Sequence, residues 1–205
     1  MTLRTQEFFA NKDTIILQGP VEANKLEQLS INPRLNNFRP ALKQKEALIK
    51  ISQMSQGMIF TACCHSEIIG YVTFHRPESY TRWFKHPAIL EMGAVEVSLD
   101  WRKHNIGCQL LIFAFAAPQL EKFIGIATEY AWHWDLKASG LSVWDYQKML
   151  TGIFQKANLT RYKTDEPEIL SHPCNVLMAK IGSQLSAKEI RQFKDLLFLK
   201  QAGAS

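Results

Sequence analysis

Ala94-Val95-Glu96-Val97-Ser98-Leu99, then Arg102-Lys103-His104-Asn105-Ile106-Gly107, then Cys108-Gln109-Leu110-Leu111-Ile112-Phe113-Ala114-Phe115-Ala116 is the stretch on which the fold turns. The first run is β-like, the second is a short basic turn with a glycine, and the third is a long apolar helix. A strand that turns sharply into a helix presents unpaired backbone N–H groups at the helix N-terminus. The helix dipole favours an anion at that place. Gly107 lets the backbone approach a phosphate without a Cβ in the way. Arg102 and Lys103 add positive charge. The pattern points to a pyrophosphate-holding turn built from residues 102–108, with Ile106 opening the helix and Cys108 in its first turn.

The turn resembles the acyl-CoA signature of the GNAT superfamily of N-acetyltransferases, Gln/Arg-x-x-Gly-x-Gly/Ala, which closes a strand and opens a helix. Arg102 and Gly107 match its ends. The middle glycine is replaced by Asn105, and Asn tolerates positive φ better than other residues with a Cβ.

Outward from the turn, the rest of the chain reads as alternating strands and helices. Residues 13–18 read as a first strand and 21–30 as a short helix. A second helix follows from Pro40 to about Met54, with Leu42, Leu48, Ile49 and Ile51 as its apolar members. Residues 58–63 and 68–74 are β-rich and joined by a hairpin-type connection. Residues 76–87 form a polar and aromatic insertion. Residues 89–99 read as the fourth strand, with the helix after the turn running to about Pro118. A fifth strand (123–130), a helix (142–157), two β-type segments (159–163 and 175–181) and a terminal helix (186–200) complete the order. Ser186 and Glu189 have the spacing of a capping box. This is the acetyltransferase order, with the phosphate turn after the fourth strand. It predicts an α/β (α+β) fold with a mixed, mostly antiparallel sheet of about six to seven strands flanked by helices. One domain over 1–205 is expected, its core at about 13–182.

Acetyl transfer from a thioester to an amine needs a held thioester, a polarised carbonyl and a deprotonated amine. The resemblance implies these roles by position. Residues 102–108 (Arg102, Lys103, His104, Asn105, Ile106, Gly107, Cys108) would hold the pyrophosphate of acetyl-CoA. Val97 would pair its backbone with the pantetheine arm, and the Val95 N–H would face the acetyl oxygen. In the histone acetyltransferase branch the base lies eleven positions before the first residue of the motif, which here is Glu91. Its neighbours Leu90 and Met92 are apolar, a setting that raises a carboxyl pKa. Glu96 is the rival. On an undistorted strand the two face opposite sides. At the position where many small-amine acetyltransferases carry an acidic Tyr, this chain has Phe154, which has no proton to donate.

Thr128-Glu129-Tyr130-Ala131-Trp132-His133-Trp134-Asp135-Leu136-Lys137 is the densest aromatic and polar segment. Tyr130, Trp132, His133, Trp134 and Asp135 are candidate substrate-binding residues, because exposed aromatic residues anchor partners. A packed loop with His133 and Asp135 satisfied locally is the competing reading. The segment resembles the acetoin-utilisation acetyltransferases of Bacillus-type bacteria. So do Gly140-Leu141, Val143-Trp144, Gly70-Tyr71-Val72-Thr73-Phe74, Ser171-His172-Pro173, Asn175 and Ile181-Gly182. That resemblance implies a protein lysine Nε-acetyltransferase. Its partners would be coenzyme A and an acetyl-CoA synthetase, inactivated by acetylation of its active-site lysine. A small-amine acetyltransferase and a non-catalytic acetyl-CoA-binding regulator are the alternatives.

Composition sets the outer bounds. Of 205 residues, 46% are hydrophobic, ample for a core. No apolar run is long enough to span a membrane, and the N-terminus lacks a signal-peptide core, so a cytoplasmic protein is expected. The net charge of +5 is not gathered into a Lys/Arg run, and no nucleic-acid motif is present, so the charge suits a polyanionic cofactor or an acidic partner. The four cysteines (63, 64, 108, 174) show no C-x-x-C spacing and read as reduced structural residues, and no metal is expected. Cys108, beside basic residues at a helix start, is the one whose setting can activate a thiol.

Overall fold

The computed structural model describes residues 3–199. Lys200, the expected end of the terminal helix, lies outside them, as do Met1 and Thr2. The chain forms two compact units, Met1–His75 with Met92–Ala117, and Arg76–Glu91 with Pro118–Ser205.

The first unit is built from β1 (Arg4–Ala10), β2 (Asp13–Gly19), α1 (Ala23–Gln28), β3 (Ser30–Ile31), α2 (Ala41–Ser52), β4 (Met58–Cys64), β5 (Glu67–His75), the later part of β6 (Ile89–Val97), and α3 (Ile106–Phe115). The strand order is β1-β2-β4-β5-β6, with β3 pairing in parallel to β5. β1 and β2 meet at Asn11-Lys12, both at positive φ, as a two-residue type I′ hairpin requires. β4 is buried along its whole length and β5 along all but its ends, which is why both read as continuous apolar runs. On one face Leu26, Leu35, Leu48, Ile59, Ile68 and Tyr71 pack into a core under α1 and α2. Elsewhere in the unit Phe60, Phe74, Phe113 and Phe115 meet edge to face, with centroids 5.1–6.2 Å apart. Each such side chain contributes about 1.5–3 kcal/mol on burial.

The second unit takes the first three residues of β6, then β7 (Ile124–Glu129), α4 (Leu136–Ser139), α5 (Val143–Lys156), β8 (Thr160–Tyr162), α6 (Pro167–Leu170), β9 (Val176–Ile181) and α7 (Ala187–Leu197). β6 pairs with β7 in parallel at Ile89↔Ile124, Leu90↔Gly125 and Glu91↔Ile126, and β9 pairs antiparallel with both β7 and β8. Trp83, Ile89, Ile124, Ile126, Leu177 and Phe193 form its core. α7 begins with the expected capping box, Ser186 and Glu189 each bonding the other's backbone N–H, worth about 1 kcal/mol. The 76–87 insertion belongs to this unit. Trp83 is buried in its core, and the Arg76 guanidinium donates to the carbonyls of Phe84 at 2.7 Å, His86 at 2.6 Å and Ile89 at 3.2 Å.

Several expectations need correction. Nine strands occur among the described residues, more than the six to seven expected. β1 escapes pattern reading because it is a mostly exposed edge strand whose Phe9 is 74% exposed. β3 has two residues, and α4 and α6 are single turns of four, too short to show a period. Leu42, expected on the apolar face of α2, is 74% exposed, whereas Leu48 of the same helix is fully buried.

Candidate functional site

In the first unit, β6 ends at Val97 and the chain passes through one 3-10 turn (Leu99–Trp101) into α3. Ser98 anchors this exit. Its N–H donates to the Ile69 carbonyl at 2.9 Å and its hydroxyl to Asn32 Oδ1 at 2.8 Å. Arg102 is drawn back onto the strand, its Nε donating to the Val97 carbonyl at 3.3 Å. Lys103 (φ 69°) and Asn105 (φ 61°, ψ 11°) both take the left-handed conformation, so Asn105 does what glycine does in the superfamily pattern. Asn105 is the N-cap of α3, and its side chain makes no capping bond. The first-turn N–H groups of Ile106, Gly107 and Cys108 therefore keep their donors for an anion. A Cβ on Gly107 would lie 3.4 Å from Val97 Cγ2, an ordinary contact, so packing against the strand does not by itself demand glycine there. Lys103 and Asn105 are exposed, Arg102 and His104 half-buried, Ile106 and Cys108 buried. Cys108, 5% exposed, sits as a packing residue. Val95 and Val97 are half-buried.

Glu96 lies in the same unit and is 5% exposed. Its Oε2 accepts the Tyr71 hydroxyl at 2.6 Å and its Oε1 the Asn37 N–H at 2.9 Å. Burial first, then the Glu96 charge and hydrogen bond, push the Tyr71 hydroxyl well above the ordinary phenol range, so Tyr71 remains a donor. Both Glu96 oxygens are committed to holding the 32–37 loop and β5.

The second unit carries the other carboxylate. Glu91 is half-buried. It pairs with Ile126, and two residues on along the same face of β7 the Thr128 hydroxyl donates to Glu91 Oε1 at 2.8 Å. Beyond it Tyr130 hydrogen-bonds Thr128 and Glu168, and burial, ahead of these groups, raises its hydroxyl pKa. Glu129 points to the opposite face. The residue keeps some exposed surface, but its carboxyl is enclosed, and that desolvation raises its pKa to about 7 in spite of the Trp134 Nε1–H donor at 3.3 Å.

The aromatic segment divides between the two readings made of it. Tyr130 stacks on Trp132 (4.8 Å between centroids, 8° between planes), with His133 edge-on to both. Trp132 is 56% exposed and His133 is exposed. Trp134 instead stacks on Tyr146 of α5 at 5.2 Å. Asp135 caps α4 by accepting the Ala138 N–H. Asn175, 3% exposed, fastens the segment by accepting the Ala131 N–H at 2.8 Å and donating to the Glu168 carbonyl at 2.8 Å. Beside it lies a cavity of about 370 Å³ whose lining includes Tyr162, Ile169, His172, Asn175, Leu177 and Phe198. Phe154 is fully buried.

The sequence assigned no role to Thr128, Glu129, Glu168 or Asn175. A Thr-Glu-Tyr run closing a strand was the available signal for the first two. Glu168 carries none and Asn175 only its part in the resemblance, because only folding brings α6 and the start of β9 beside residue 130.

No family model matches the chain. The acetoin utilization protein AcuA of Bacillus licheniformis is 40% identical over 199 residues, covering 96% of this chain and 95% of that protein. AcuA of Bacillus subtilis is 38% identical over 187 residues, 90% and 89% of the two chains. A crystal structure of an acetoin utilization protein from Exiguobacterium sibiricum superposes with a TM-score of 0.94 at 37% identity, covering 100% and 98%. More distant structures share the fold. The GNAT domain of S. lividans PAT gives a TM-score of 0.51 at 15% identity over 86% of this chain and 96% of that one. Diaminobutyrate acetyltransferase EctA from Paenibacillus lautus, solved with its substrate and coenzyme A, gives 0.51 at 13% over 85% and 98%.

Proposed function

The chain belongs to the acetoin utilization protein AcuA family, acetyltransferases of the GNAT fold, and from that premise we propose that it transfers acetyl from acetyl-CoA to a protein lysine, the active-site lysine of an acetyl-CoA synthetase. The whole chain is read as one acetyltransferase domain working in the cytoplasm. The observation that carries the proposal is the use made of β6. One strand supplies Glu91, half-exposed and held by the neutral Thr128 hydroxyl, and then Val95 and Val97, before the turn whose N-cap side chain leaves the helix amides uncapped.

The residues present fit the cofactor. The amides of Ile106, Gly107 and Cys108, with Arg102 and Lys103, would hold its pyrophosphate. The Val97 backbone would pair with the pantetheine arm, and the Val95 N–H would polarise the acetyl carbonyl. Bound there, the cofactor supplies an activated acetyl group. Glu91 acts as the base. Thr128 occupies Oε1 and fixes the carboxylate's orientation, which leaves Oε2 to take a proton from the lysine ammonium. Acetylation then removes the positive charge that the lysine needs for its own chemistry. Trp132 and His133, exposed beside Tyr130, would contact the protein acceptor.

The test is incubation of the purified chain with labelled acetyl-CoA and an acetyl-CoA synthetase, beside the Glu91→Gln variant. Label on a synthetase lysine with loss of synthetase activity, reduced in the variant, is the expected result. Transfer to free polyamines or amino sugars in place of the synthetase would overturn the protein-acceptor reading. Tight acetyl-CoA binding with no transfer to any amine would overturn the enzymatic one.

A further inference from the structure

In the first unit, at the turn end of the β2 and β4 strands, three side chains of metal-ligating type converge. Asp13 opens β2, Cys64 closes β4 and His65 begins the β4–β5 turn. Their ligand atoms (a carboxylate oxygen, Sγ and an imidazole nitrogen) all lie within 4.8 Å of one another. Cys64 and His65 are neighbours in sequence, and on a regular strand their side chains would diverge to opposite faces. The left-handed backbone at His65 (φ 53°) prevents that and swings the imidazole back, so that Nδ1 stands 3.2 Å from Cys64 Sγ. Asp13 arrives by register. Cys64 pairs with Ile15, and Asp13 lies two residues earlier on the same face of β2. The preceding I′ turn at Asn11-Lys12 fixes where β2 begins.

From this convergence we infer that Asp13, Cys64 and His65 form a binding site for a soft or borderline divalent cation of the Zn²⁺ class, bound by one thiolate, one imidazole and one carboxylate. Zinc bonds of about 2.0–2.3 Å in a tetrahedron place ligand atoms roughly 3.5 Å apart. The thiol–imidazole pair, at 3.2 Å, already meets that spacing, and the carboxylate, within 4.8 Å of both, can close the rest by a side-chain rotation at a strand start. A mixed sulfur, nitrogen and oxygen set excludes Mg²⁺ and Ca²⁺, which take oxygen ligands. Three protein ligands leave a fourth position for water. Among titratable neighbours Glu67, the residue opposite Cys64 on β5, also faces the thiol, and its charge and that of Asp13 add to the desolvation that keeps the free thiol protonated. Binding a cation reverses that balance. The S–H bond breaks as the S–metal bond forms, and the proton leaves to solvent. The bound ion would tie β2 to the β4–β5 turn. The inference is independent of the acetyl-transfer reading.

The experiment uses the full, untagged chain, freed of metal and titrated with Co²⁺ and then Zn²⁺. The expected result is one Co²⁺ per chain with a thiolate-to-cobalt charge-transfer band, displaced by Zn²⁺, and a higher thermal midpoint with Zn²⁺ than with chelator. Cys64→Ser and His65→Ala should each abolish the band, whereas Cys63→Ser should keep it. His65 is exposed, so its substitution tests the site even where Cys64→Ser disturbs the fold. Absence of a saturable cobalt band, or a band that survives both Cys64→Ser and His65→Ala, would overturn the proposal.

Discussion

Glu91 and Glu96 lie on one strand, five residues apart, and they live in different worlds. Glu96 is enclosed in the first unit with each oxygen already accepting a hydrogen bond, from the Tyr71 hydroxyl and from the Asn37 backbone N–H. Glu91, in the second unit, is half-exposed, and Thr128 takes only one of its oxygens. The difference teaches that a carboxylate's availability is set by which donors already hold its oxygens and by solvent access, more than by residue type or strand position. A carboxylate with two short hydrogen bonds behaves as a structural acceptor, because releasing it would orphan two donors.

The comparison breaks most visibly in the rate of transfer. Glu91→Gln is expected to lower kcat/KM by about 10²–10⁴ with the thermal midpoint nearly unchanged, since it removes the proposed general base and little packing. Equal loss on Glu96→Gln, in protein still folded, would reverse the assignment. Next in size is stability. Glu96→Ala should cost about 3 kcal/mol in urea unfolding, because it leaves the buried Tyr71 hydroxyl and the Asn37 N–H without acceptors.

A third carboxylate sharpens the contrast through pH. Glu129 has its folded-state pKa raised from the ordinary 4.5 to about 7. A carboxyl whose pKa rises on folding favours the folded state while protonated. Its contribution is therefore lost as pH climbs from about 4.5 through about 7. Glu129→Gln should flatten that window and make the variant more stable than the parent above pH 7, with no gain below pH 4.5, read by thermal unfolding across pH. The smallest expected effect lies at the 102–107 turn. Asn105→Ala, which puts an ordinary side chain at φ 61°, should cost about 1 kcal/mol of stability. Asn105→Gly should be tolerated and should bind coenzyme A at least as well, measured by calorimetry.

What could be read without coordinates was whatever depends on short range. The turn at 102–107 declared itself because glycine, asparagine and basic residues between a strand run and an apolar helix leave the backbone few options, and Asn105 duly takes the left-handed conformation. The capping box at Ser186 and Glu189 is equally local. The exposed β1, the two-residue β3 and the one-turn α4 and α6 were not legible, since none is long or apolar enough to impose a period. The aromatic segment showed its importance but not its division into the exposed Trp132 and the packed Trp134. That division depends on Tyr146, twelve residues further on in α5.

The sequence by itself determined the family, the long strands and helices and the place of the 102–107 turn, because these rest on residue type and spacing along the chain. Only the tertiary structure set the surroundings of Glu91 and Glu96 apart, enclosed Glu129, and joined Tyr130 to Thr128 and Glu168. The reason is physical. A carboxylate's availability is set by which donors reach it and how much water it keeps, and Tyr71, Asn37 and Thr128 reach theirs across 25, 59 and 37 residues of chain.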